Sequence, residues 1–166
     1  MSTQDNLQAA FAGESQANRK YLAFAKKAEA DGYPQVAKLF RAAAEAETVH
    51  AHAHLRVMGG IKSTAENLQE AIAGEAHEFT SMYPEFVAEA EADGNKPALI
   101  SCRNAMAVEK THHDLYSAAL AAVQAGVDLE GASIYVCQVC GHTHIGEAPD
   151  TCPVCNAKKD RFVEVI

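Results

Sequence analysis

The chain has 166 residues, 48% of them hydrophobic, five cysteines and a formal net charge of -8. That length supports one main domain and a small appendage, and an acidic balance without a long basic run excludes nucleic acid or an anionic membrane surface as the main partner. No stretch approaches the roughly 18 apolar residues of a membrane span, and MSTQDNLQAAFAG lacks a basic start followed by an apolar run, so the expected location is the cytoplasm.

Up to about residue 127 the chain is rich in Ala, Glu, Lys and Gln, and breaks at DGYP (31–34), MGGIKS (58–63) and DGNKP (93–97) cut it into four helices. Helix one carries Leu7, Phe11, Glu14, Asn18, Tyr21 and Ala25 at alternating three- and four-residue spacing. Helix two starts at Pro34, where a missing N–H costs nothing, and continues the pattern through Val36, Phe40, Ala43, Glu47, His50, His54 and Val57. Such series trace single helix faces and predict buried seams. Helix three opens on Ser63 with Glu66 three residues on, a capping box, and contains AGEAHEF (73–79), which crowds Glu75 and Glu78 into one turn. Helix four, announced by Pro97, presents Cys102, Ala105, Glu109, His112, Tyr116, Leu120 and Val123.

Helices one and two repeat as helices three and four. AEADGYP at 28–34 recurs as AEADGNKP at 90–97, and FAGES at 11–15 as IAGEA at 72–76, pairing Glu47 with Glu109, His50 with His112 and Glu14 with Glu75. Glu78 has no acidic counterpart, since Ala17 holds the matching place. Glu14 to Asp31 is 17 residues and Glu75 to Asp93 is 18, so helix three has gained one residue. A π-bulge near Glu78 is the expected device, with a kink at Pro84 as the competing one.

Carboxylates on faces that ought to be buried require a cation between them, because an unpaired buried carboxylate costs several kcal/mol. Glu-x-x-His on two helices and a Glu on each of two others is the ligand pattern of ferritin-like di-iron and di-manganese bundles, and hard oxygen donors with imidazole suit iron or manganese. A charged face that merely contains EAETVH or VEKTHH explains either motif alone, but not both motifs, their partners and the duplication. His52, His113 and His77 are expected at solvent or rim positions, His54 in the core or supporting a ligand, and Cys102 as a small core residue.

After about residue 130, ASIYVCQVC and RFVEVI turn β-branched and aromatic, and CQVC, GHTHIGEAPDT and CPVC follow one another. Four thiolates from two such knuckles make a tetrahedral site that accommodates zinc or iron, and a module this small needs that staple to fold. His142 and His144 are expected to decorate the loop, since four cysteines complete the site.

The helical carboxylates followed by YVCQVCGHTH and APDTCPVC resemble the rubrerythrin family over nearly the entire chain. The resemblance implies a mainly α fold: a ferritin-like four-helix bundle over 1–128 and a small rubredoxin-like β and loop metal module over 129–166. It implies two Fe ions in a carboxylate-bridged site held by Glu14, Glu47, His50, Glu75, Glu78, Glu109 and His112, and one Fe, replaceable by Zn, on Cys137, Cys140, Cys152 and Cys155. Tyr21 and Tyr83 match tyrosines that line the di-iron pocket, and Glu78 matches a carboxylate that exchanges with His50 as the iron changes redox state. The implied activity is reduction of hydrogen peroxide to water in oxidative-stress defence. Electrons come from an NAD(P)H-dependent reductase or a rubredoxin through the four-cysteine iron, in a head-to-tail homodimer because the two sites are expected to lie too far apart within one chain. The rival functions are a ferroxidase or iron-storage protein with a structural zinc ribbon, which leaves an electron-transfer module unexplained, and a binding protein carrying such a ribbon.

Overall fold

The computed structural model describes residues 2–166, which pack as two compact units, 2–62 and 63–166. In the first, α1 (Thr3–Ala30) begins with a reciprocal capping box between Ser2 and Asp5, and α2 (Pro34–Val57) begins with proline in its first turn. The connection is tight: Gly32 takes φ 84 and the Tyr33 N–H returns to the Ala28 carbonyl. The helices therefore run back along each other. Ala25, Ala28, Ala37, Ala44 and Ala51 are buried along their contact, where small side chains let the backbones approach. The buried Asn18 side chain crosses it, donating from Nδ2 to the Ala44 carbonyl at 2.7 Å and to Thr48 Oγ1 at 2.8 Å.

This corrects the expected seam on α2. Val36 and Val57 are 45% and 71% exposed, and the buried line is the alanine series beside them. The hairpin closes on its smallest residues, leaving the face that carries Glu47 and His50 flanking the contact.

In the second unit, Ser63 and Glu66 form the expected capping box at the start of α3 (Thr64–His77). A π-helical segment over Glu78–Met82 and α4 (Tyr83–Ala92) continue the same rod, and α5 (Lys96–Gln124) returns along it from an Asn95 cap. The expected bulge is present. The Tyr83 N–H donates to the Glu78 carbonyl, five residues back, and Thr80 Oγ1 donates to the Ala76 carbonyl at 2.6 Å where the ladder loosens. Pro84, with no N–H to give, follows at once, so the loosened turn absorbs the extra residue just where the ladder would lose a donor.

The chain ends in a three-stranded antiparallel sheet: β1 (Ile134–Cys137) lies between β2 (Thr143–Ile145) and β3 (Phe162–Glu164), with Tyr135 opposite both His144 and Glu164. β1 and β3 fall in the segments read as strands, whereas β2 falls in GHTHIG, read as loop. Its cause is local: Gly141 donates to the Cys137 carbonyl and Cys137 to the His142 carbonyl, which turns the chain back beside β1. The second knuckle repeats the device, with Asn156 donating to the Cys152 carbonyl. Gly141 at φ 88 and Asn156 at φ 61 supply the left-handed residue each turn needs. Cys137, Cys152, Ala148 and Phe162 form the small core.

Candidate metal centres

The α1–α2 turn brings Glu14 from one helix beside Glu47 and His50 from the other, with their ligand atoms all within 4.8 Å of one another. His50 Nδ1 lies 3.0 Å from Glu47 Oε2, as the one-turn spacing of Glu-x-x-His requires. The second unit repeats the group: Glu75, Glu109 and His112 also lie within 4.8 Å. Here His112 Nδ1 is 2.9 Å from Glu109 Oε2 and 3.7 Å from Glu75 Oε1. The duplication read from the sequence is thus a duplication of ligand geometry.

Burial, and then the charge of Glu109, hold the Glu75 carboxyl above its ordinary value of 4.5. Two half-buried carboxylates side by side resist joint ionisation unless a proton or a cation lies between them. Burial, followed by Glu109 and Glu78, likewise raises the Tyr83 hydroxyl above 10.0, so it stays protonated and available as a donor beside the carboxylates. Glu78 begins the π segment one turn beyond Glu75 and is half-buried, but it is not in the triad. Tyr21 packs in the first unit against Phe24 and Phe40, with ring centroids 6.4 and 6.1 Å away.

The other nitrogen of His112 has a partner that the sequence did not announce. Nε2 lies 2.9 Å from Thr143 Oγ1 on β2, and the Thr143 hydroxyl is 3.4 Å from the Gly141 carbonyl. With a cation among the carboxylates, a Thr143 hydroxyl donating to Gly141 would accept from Nε2–H and free the Nδ1 lone pair for the ion, the tautomer a metal ligand needs; without one, Nδ1 stands where it can donate to Glu109 Oε2. The four-cysteine module therefore rests on the helix bearing this triad in its own chain. Nothing in GHTH distinguishes Thr143 from its loop neighbours until β2 is paired and packed on α5.

Cys137 and Cys155 have Sγ atoms 3.7 Å apart, and Cys140 and Cys152 3.6 Å. A tetrahedron with metal–sulfur bonds of about 2.3 Å has edges of about 3.8 Å, so the thiols already stand at metal-binding separation. Burial opposes ionisation of Cys137, but the N–H groups of Cys140 and Val139 and the thiols of Cys155 and Cys140 outweigh it and bring it from 9.0 down to about 7. Burial and neighbouring thiols push Cys140 and Cys155 up. One thiolate forms easily; several need a cation. His142, expected on the loop surface, is instead buried at 7% exposure against Phe162, and burial followed by His144 and His112 keeps it neutral.

The rubrerythrin family model matches residues 5–120, and the model of the rubrerythrin rubredoxin-like domain matches 135–163. This chain belongs to the rubrerythrin family. Rubrerythrin-2 of Clostridium acetobutylicum is 34% identical over 96% of this chain and 95% of its own length. Nigerythrin of Nitratidesulfovibrio vulgaris is 35% identical over 97% of this chain and 85% of its own. Solved nigerythrin structures in mixed-valence and fully reduced, all-ferrous states cover 99% of this chain and 87% of theirs, with TM-scores of 0.58 and 0.59 at 35% and 34% identity. The fold class is the expected one, mainly α with a C-terminal strand and loop module bearing four cysteines. A rubrerythrin carries two iron ions in a carboxylate site and one iron in its rubredoxin-like site, where zinc also fits, and this chain has donors for both. Among the described residues no helix is long and apolar enough to cross a membrane.

Proposed function

We infer that this rubrerythrin reduces hydrogen peroxide to water in the cytoplasm, as part of oxidative-stress defence. Residues 1–128 form the di-iron part and 129–166 the electron-entry module, supplied by an NAD(P)H-dependent reductase or a rubredoxin. The observation that carries this reading is the 2.9 Å contact between His112 Nε2 and Thr143 Oγ1: a redox module rests directly on a carboxylate triad, an arrangement that iron storage does not call for.

Glu14, Glu47, His50, Glu75, Glu109 and His112 would hold the two irons, and Cys137, Cys140, Cys152 and Cys155 the third. When bound, the iron pair supplies two electrons together, so no one-electron oxygen radical is released. Peroxide takes up those two electrons and two protons, its O–O bond breaks, and two waters leave. The raised Tyr83 hydroxyl is a proton donor beside the site, and Tyr21 is the corresponding tyrosine of the first hairpin. Glu78, on the π segment, would offer the iron pair an anionic oxygen donor, which an oxidised, harder ion favours over the neutral imidazole of His50.

Stopped-flow reoxidation of the anaerobically reduced protein tests the assignment. Peroxide reacting far faster than oxygen is expected; preferential reaction with oxygen and growth of a mineral core would replace the reductase with a storage protein. Glu78→Ala should hold its full iron complement yet turn over peroxide slowly, and equal loss of iron and turnover would make Glu78 an ordinary ligand.

A further inference from the structure

The groove between α1 and α2 holds a cavity of about 220 Å³, built wholly from the first hairpin. Thr48 and His52 line it on α2, each two residues from His50 and so about 200° around the helix from that imidazole. Ser15 and Arg19 line it on α1. The cavity thus opens on the side of α2 away from His50, yet Glu47 lines it while standing 3.0 Å from His50 Nδ1. One carboxylate serves both the first triad and a polar cavity behind it. An ion held by Glu14, Glu47 and His50 would occupy the triad side of Glu47 and leave the cavity side free to meet a small molecule.

The inner wall accepts hydrogen bonds and has few protons to give. The Ser15 hydroxyl donates to the Phe11 carbonyl at 2.7 Å, and the Thr48 hydroxyl to the Ala44 carbonyl at 3.2 Å. Both protons of the Asn18 amide are engaged too, by the Ala44 carbonyl and by Thr48 Oγ1. Lone pairs remain on Ser15 Oγ and on the Glu47 carboxylate, and just below the surface Asn18 Oδ1 is buried with no donor at all. A buried oxygen in that state costs about 1 to 3 kcal/mol, which favours a guest that donates. The exposed mouth has the opposite character, with the guanidinium of Arg19 beside His52.

Those two ends select the guest. An anion would face Glu47 and find no free proton on the inner wall, and a hydrated ferrous ion would meet the Arg19 cation at the mouth. A small neutral molecule with an O–H at each end and lone pairs on both oxygens satisfies wall and mouth together. We propose that this cavity is the entry site for hydrogen peroxide, where Ser15, Asn18 and Thr48 hold the molecule against the back of Glu47 before it passes to the carboxylate site. It rests on the peroxide-reductase reading and adds to it the route and the residues that choose the substrate. Phe11 and Leu55, both half-buried, complete the lining and keep larger hydroperoxides out.

Three measurements test it. In full-length protein loaded with zinc, which cannot reduce peroxide, added hydrogen peroxide should shift the Asn18 side-chain amide NMR signals saturably, and Ser15→Leu, which fills the cavity, should remove the shift. In iron-loaded, anaerobically reduced protein, Ser15→Leu should keep its iron and slow reoxidation by hydrogen peroxide at least about tenfold, the scale on which a pocket rejects a misfit. Phe11→Ala/Leu55→Ala should instead speed reoxidation by tert-butyl hydroperoxide about tenfold, as that oxidant takes up two electrons and two protons to give tert-butanol and water. Misfolding cannot produce such a gain. Unshifted Asn18 signals in the wild-type chain, a wild-type peroxide rate in iron-replete Ser15→Leu, or no gain with tert-butyl hydroperoxide each overturn the proposal. Failure of the reductase reading shows separately, in wild-type protein whose irons react with oxygen in preference to peroxide, and takes the proposal with it.

Discussion

Thr143→Val isolates the contact on which the functional reading depends. Valine keeps the shape of threonine, so β2 still packs on α5, but His112 Nε2–H loses the oxygen 2.9 Å away. The imidazole then has less reason to keep its proton on Nε2, and its Nδ1, 2.9 Å from Glu109 Oε2, turns from lone-pair donor to competing hydrogen-bond donor. Loss of the hydrogen bond alone is worth about 1 kcal/mol, and removing the outer partner of a metal-ligating histidine commonly weakens binding about 10- to 100-fold. The expected loss of ferrous affinity at the carboxylate site is therefore at least about tenfold, or about 1.4 kcal/mol. Anaerobic ferrous titration against a competing chelator measures it, with the visible absorption of the four-cysteine iron as an internal control. Thr143→Ser, which restores an oxygen, should recover most of the affinity. Wild-type affinity in the valine variant would refute the tautomer argument.

Cys152→Ser, at a fully buried corner of the thiol cluster, should abolish the red thiolate-to-iron colour and raise amide exchange across residues 134–164, while helical circular dichroism persists. In metal-free protein the raised Glu75 pKa favours the protonated folded state, so its contribution is complete below 4.5 and is lost as pH rises through the higher folded value. Melting temperature should accordingly fall over the interval just above 4.5, and Glu75→Gln should flatten that slope; parallel profiles would contradict the pairing with Glu109. Ser63→Ala removes the cap of α3 and should cost about 1 kcal/mol in denaturant unfolding at fixed protein concentration.

Much of the candidate site was legible because ligand spacing along a helix is a property of the helix itself. Glu47 with His50 and Glu109 with His112 are one turn apart in any α-helix, and the one-residue excess after Glu75 had to appear as a backbone irregularity; it appears as the π segment at Glu78–Met82. The two C-x2-C knuckles were legible for the same reason, their turns being closed by local hydrogen bonds and by Gly141 and Asn156.

What the sequence determined by itself was therefore local: helix limits, caps, the duplicated ligand spacing and the thiol pairs, all governed by residues within a few positions of one another. Which face each helix buries was decided only by tertiary packing, because the alanine line of α2 and the ligand line beside it are equally periodic and the closer backbone approach at alanine breaks the tie. Burial of His142, pairing of β2, and the contact of Thr143 with His112 likewise depend on a module folded back onto α5, across 31 residues of chain. No periodicity encodes that distance; it exists only once the two surfaces have met.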